Sequence, residues 1–162
     1  MPQPVRRFAG VVARHGGRVA LVLEHQSRWE RAHWTVPSGE VEPHETPEQG
    51  AARELAEETG LVVAHDELRL VSTSETSSTS WVSRAWNFTA EVEDPRLCVD
   101  DPDRQVHEAR WFTPHEAITL LASLPYAPMA EPILAHLRWG ARHGAALGLR
   151  ALTGTVAAIS SR

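Results

Sequence analysis

The chain has 162 residues, 42% hydrophobic and 23% charged, with a net charge of -5 and a single cysteine. This balance excludes a disordered or collagen-like chain and fits one domain burying roughly 70% of its unfolded surface without disulfides or structural zinc. Cys98 has no intrachain partner, Met1 to Gly10 lacks the apolar core of a signal peptide, and no apolar run reaches the ~18 residues of a membrane span, so a cytoplasmic protein without membrane association is expected.

Two Val-rich runs, Val5 to Ala13 and Arg18 to Glu24, flank His15-Gly16-Gly17 and predict a hairpin whose glycines supply positive φ. Trp34-Thr35-Val36 is a short apolar segment that Pro37 and Gly39 turn. A helix follows: Thr46 is its N-cap, Pro47 its first residue, Gln49 completes a capping box, and Gly60 stops it. Further strands are expected over Leu68 to Thr73, Ser80 to Val92 and Ala109 to Phe112. The Ser- and Thr-rich stretch Ser72 to Ser80 reads as a loop, as does Glu93 to Arg104. Thr113-Pro114-His115-Glu116 repeats the helix-start signal for a second helix to about Ser123. A third spans Met129 to Arg142, with Pro132 tolerated in its first turn. Residues 1–144 form the expected domain, and 145–162 read as a weakly patterned tail. Strands before, between and after helices imply an α/β sandwich.

Charge is unevenly distributed. Glu40 to Glu67 holds nine acids against one cation, Arg53, and nothing after Glu131 is acidic. Such a patch suits a metal ion and not a phosphate backbone, which argues against general nucleic-acid binding. All 16 cations are Arg, so a lysine nucleophile is excluded. At ~100° per residue, Glu54, Glu57 and Glu58 share one helix face, with Ala51, Ala52, Leu55 and Ala56 on the adjoining arc. Oxygen-only ligands select hard Mg²⁺, Ca²⁺ or Mn²⁺, and Mg²⁺ characteristically binds carboxylates together with substrate phosphates. Three helical Glu taken alone read as a solvated face. Gly50, in the middle of the acidic arc, costs its helix about 1 kcal/mol relative to Ala, and the expected return is room for a phosphate or hydrated metal.

The spacing around the helix decides between the two. Gly39, five residues, Glu45, seven residues, then Arg53-Glu54-Leu55-Ala56-Glu57-Glu58-Thr59-Gly60-Leu61 resembles the Nudix box at every specified position, over 23 of the 162 residues. The resemblance implies an α/β/α sandwich with a mixed β-sheet and metal-dependent hydrolysis of a nucleoside diphosphate linked to another moiety. Carried over by position, it implies Glu57 and Glu58 as the main Mg²⁺ ligands, Glu54 as a ligand or the base that activates water, the Gly39 carbonyl as a further ligand, and a structural Glu45–Arg53 pair. Two positions depart from the pattern. Ser38 stands where the family has Gly, and Gln105 stands where many members place another acid, with Asp103 and Glu108 as the nearby candidates.

The expected partner is a small-molecule nucleotide diphosphate derivative, and a homodimer is an allowed assembly. Trp29, Trp34, Trp81 and Trp86 are candidates to stack a base. His107 is the histidine nearest the uncertain acid. Two other classes compete with a hydrolase. One is a nucleotide-sensing module without turnover. The other is a prenyl diphosphate isomerase, which needs a catalytic Cys for which Cys98 is the sole candidate.

Overall fold

The computed structural model describes residues 3–143, and the expected tail lies outside the described residues. Strands β1 (Val5–His15) and β2 (Arg18–Glu24) form the expected hairpin. Gly16 (φ 55°) and Gly17 (φ 76°) both occupy the left-handed region that a tight two-residue hairpin turn requires. After β3 (His33–Thr35) and β4 (Ser38–Glu40) comes α1 (Pro47–Thr59). Strands β5 (Arg69–Ser77), β6 (Val82–Glu91) and β7 (Val106–Phe112) lead to α2 (Pro114–Leu121) and α3 (Ala127–His143).

The seven strands form one mixed sheet, in which β1 pairs with β6 in parallel and the other pairings are antiparallel. Along β1 and β2, side chains alternate between two cores. Ala9, Val11, Ala13 and Ala20 meet Ala51 and Leu55 of α1. Val12, Val19 and Leu21 meet Leu121 of α2 and Ile133 and Leu137 of α3. The result is the α/β/α sandwich that the sequence implied. Leu55 is fully buried, a contribution of about 2 kcal/mol that fixes the rotation of α1 and so decides which of its faces meets the sheet. Among the described residues, no helix is long and apolar enough to cross a membrane.

The expected loop at Ser72 to Ser80 is corrected: Ser72 to Ser77 belong to β5, and only the tight turn around Ser78 to Trp81 remains. Pairing with β6 overrides the turn-like composition. Asn87 Nδ2 donates to Ser72 Oγ at 3.2 Å, and Arg84 Nε meets Glu75 Oε2 at 2.7 Å across the strands. Strand β4 replaces part of the expected turn, because Phe8, Ala9 and Gly10 of β1 offer it an open edge.

Candidate functional site

Helix α1 begins as its sequence dictates. Thr46 Oγ1 accepts from Gln49 N at 3.2 Å, and the Gln49 side chain accepts in return from Thr46 N at 2.9 Å. It ends at Gly60, whose φ of 76° only glycine adopts cheaply. Two orphan carbonyls of its last turn are taken by a neighbouring loop: Cys98 N donates to Thr59 O at 2.7 Å and Asp100 N to Glu57 O at 2.8 Å. Cys98 therefore sits at the C-terminal end of the helix, packed on Gly60, and does not line the cavity beside Glu54.

That cavity, about 660 Å³, is lined by Arg7, Glu40, Glu42, Arg53, Glu54 and Asp103 among others. Arg53 organises its floor. Its Nε and Nη2 meet Glu45 Oε1 and Oε2 at 2.8 and 3.1 Å, a forked pair, while Nη1 lies 2.7 Å from Glu54 Oε1 and 3.2 Å from Glu57 Oε2. The expected Glu45–Arg53 pair is present, and its hydrogen bonds hold the Glu45 carboxyl below its ordinary range. Burial raises the Glu54 carboxyl against the opposing pull of Arg53. Gly39 lies directly on Glu54: a Cβ at Gly39 would fall 2.2 Å from the Glu54 carboxyl carbon. Glu58 is 5% exposed and accepts from Ser38 N at 2.9 Å. Burial pushes its carboxyl up to about 10, and the nearby charges of Glu24, Glu54 and Asp101 add to this.

Gly50 does not open space for a ligand, contrary to the sequence expectation. It is buried, and a Cβ there would lie 3.2 Å from both Glu45 Oε2 and Val41 Cγ2. Its small size lets the helix approach β4 and the loop after it. Trp29 and Trp34 face the α2–α3 core, Trp34 packing edge-on against Phe112 at 4.9 Å, so neither can stack a base in the α1-side cavity. Trp86, on the α1 side, remains near it beneath Arg7.

The sheet separates the two candidate extra acids. Glu108 pairs with Arg110, whose guanidinium lies 5.7 Å over the Trp34 ring on the α2–α3 side. Asp103 lines the cavity, close enough that its charge raises Glu54. Gln105 presents its backbone carbonyl to His25 N at 2.9 Å. Asp101 sets this turn by accepting from the backbone N–H of Asp103, Gln105 and Val106 at 3.0, 2.8 and 2.9 Å, with Arg104 at a left-handed φ of 56°.

One residue escaped sequence reasoning. Glu24 is 5% exposed at the end of β2, its carboxyl raised by burial and held by Gln26 Nε2 at 3.0 Å. The signal was present: alternation puts Glu24 on the face of Ala20 and Val22, and a charge at an inward position of a strand calls for an explanation. Among the described residues, the one acid–histidine triple with ligand atoms within 4.8 Å is Glu42, His44 and Glu45.

The NUDIX domain family model matches residues 3–137. The chain belongs to the Nudix family. A Mycobacterium tuberculosis protein provisionally named 8-oxo-dGTP diphosphatase 3 is 35% identical over 119 residues, covering 71% of this chain and 52% of the relative. The chain thus spans about half the length of that curated relative. Among solved structures, a NUDIX hydrolase from Nitrosomonas europaea superposes with a TM-score of 0.69 at 21% identity, covering 89% of this chain and 76% of the other. The NUDIX domain of Shewanella oneidensis NrtR, complexed with ADP ribose, superposes at 0.63 and 19% identity, covering 86% and 90%. At these identities the structures speak for the Nudix fold of this chain and for nothing finer.

Proposed function

We propose that this Nudix protein is a pyrophosphohydrolase that cleaves the diphosphate linkage of a nucleoside diphosphate derivative with the help of Mg²⁺, or of Mn²⁺. The observation that carries this reading is Glu58, a buried carboxylate with other acids around it and a single backbone N–H as partner. A carboxyl so placed ionises near neutral pH only when a cation, such as a bound metal ion, stands against it. The donor set fits a hard cation: Glu57, Glu58 and the Gly39 carbonyl would hold it, with Glu54 beside them, and no sulfur or imidazole intrudes.

When bound, the ion supplies neutralisation of the diphosphate charge and a lower pKa for an attacking water. The remaining work falls to the chain. Glu54, its proton affinity raised by burial and its carboxylate seated on Gly39, takes the proton of the attacking water. Asp103 is the further acid of the site. Arg53 positions Glu54 and Glu57 and does not react.

The test measures turnover of a panel of nucleotides, nucleotide sugars and dinucleotides, with calorimetric Mn²⁺ affinity as the second readout. Glu57→Gln is expected to lower metal affinity by about tenfold or more and to lose most activity. Glu54→Gln is expected to lower kcat by about 10²-fold or more with metal affinity far less affected. No metal-dependent cleavage by wild type, combined with a nucleotide that raises Tm, would favour a sensing module instead.

A further inference from the structure

The cavity beside the Nudix box is lined by two guanidinium groups, and they differ in one respect. Arg53 is neutralised by Glu45, Glu54 and Glu57. Arg7 has no carboxylate partner among the described residues. Neighbouring cations are all spoken for, since Arg6 pairs with Glu40 and Arg84, opposite Arg7 in the parallel register, pairs with Glu75.

Arg7 is nevertheless held in place. Its Nη2 donates to the carbonyl of Glu45 at 3.2 Å, and its Cζ lies 5.8 Å from the centroid of the Trp86 ring. One edge of the planar group and one face are thereby fixed, which leaves most of its five N–H donors unused in a half-buried position on the cavity wall. A guanidinium with a free fork matches the paired oxygens of a phosphate, and one already ordered loses little freedom on binding. The other charged groups of the cavity wall, Glu40, Glu42, Glu54 and Asp103, repel an anionic substrate. Among the described residues, Arg7 is thus the one cation of this wall left free to meet a phosphate, beside any metal ion that the carboxylates hold.

We propose that Arg7 binds a phosphate group of the substrate through the free edge of its guanidinium. This assignment rests on the hydrolase reading above but is tested apart from it. A purely structural Arg7 would use its one hydrogen bond to hold the segment before α1, and its loss would appear in stability.

Arg7→Met, which keeps the stem over Trp86, and Arg7→Lys, which keeps the charge and loses the fork, separate the two roles. Calorimetry with inorganic pyrophosphate and with inorganic phosphate, each with Mg²⁺ and with EDTA, is run beside kcat and KM on the best substrate of the panel. Arg7→Met is expected to weaken pyrophosphate binding and raise KM by about tenfold, with kcat changed far less, and Arg7→Lys to fall between. Phosphate alone is expected to bind weakly to every variant. Unchanged pyrophosphate affinity and KM in Arg7→Met, or a lowered Tm as its sole effect, overturns the assignment. If wild type binds pyrophosphate through Arg7 and cleaves nothing, the anion site stands and the hydrolase reading falls.

Discussion

Thr35 carries a hydroxyl that is wholly buried and, alone among the buried side-chain polar atoms of the described residues, lacks a hydrogen-bond partner. Its neighbour Trp34 faces the α2–α3 core, so alternation turns Thr35 towards α1. Burying an unpaired hydroxyl costs about 1–3 kcal/mol, and Val has nearly the same shape. Thr35→Val is therefore expected to raise Tm by about 3 °C, measured by calorimetry. A fall would mean that the hydroxyl is satisfied in solution. The same reasoning separates the site glutamates, which look alike in the sequence. Glu57 is the most exposed of the three and is tied to Arg53, Glu54 is half-buried against Gly39, and Glu58 is buried deepest.

At the level of the element, α1 shows how far local rules reach. Thr46, Pro47, Gln49 and Gly60 place both ends of the helix correctly from sequence alone, because caps act within one turn. Gly50 fails the same treatment, since what crowds it lies on another segment. Gly50→Ala would gain about 1 kcal/mol of helix propensity in isolation. Here Val41 Cγ2 and Glu45 Oε2 stand 3.2 Å from the new methyl, and Glu45 is locked to Arg53 by two hydrogen bonds. The substitution is expected to lower Tm, and a rise would show that Val41 yields. Strand β5 teaches a related lesson. Serine and threonine favour turns locally, yet side chains at Ser72 and Glu75 find partners across β6, and strand propensity is a matter of such partners.

On the scale of the whole molecule, the α3 layer is fastened to the sheet partly through His136, whose Nε2 lies 3.3 Å from Arg14 Nη2. Burial, with the Arg14 charge behind it, lowers the His136 pKa to about 4. The group is thus neutral in the folded protein and accepts from the guanidinium. In the unfolded chain it takes up a proton near pH 6.5, so acid favours unfolding. Its contribution is fully present above about pH 6.5 and is lost as pH falls towards about 4. Tm is expected to decline over that window, and His136→Gln, which keeps an acceptor that does not titrate, is expected to flatten the decline. An unchanged slope in that variant would assign the acid sensitivity elsewhere.

The amino-acid sequence by itself determined the hairpin, both ends of α1, the start of α2, the succession of the three α-helices, and the carboxylate face with its family, because periodicity, caps and spacing are all read within a few residues. Tertiary structure alone decided four things: that Asp103 and not Glu108 lines the α1-side cavity, that Glu24 lies buried near Glu58, that Gly50 serves packing, and that Arg7 faces the cavity with no carboxylate partner among the described residues. Each depends on which face of the sheet a residue occupies and on what a distant segment brings against it. Those facts are set by the pairing of β2 with β7 and of β1 with β6, across separations of about 80 residues.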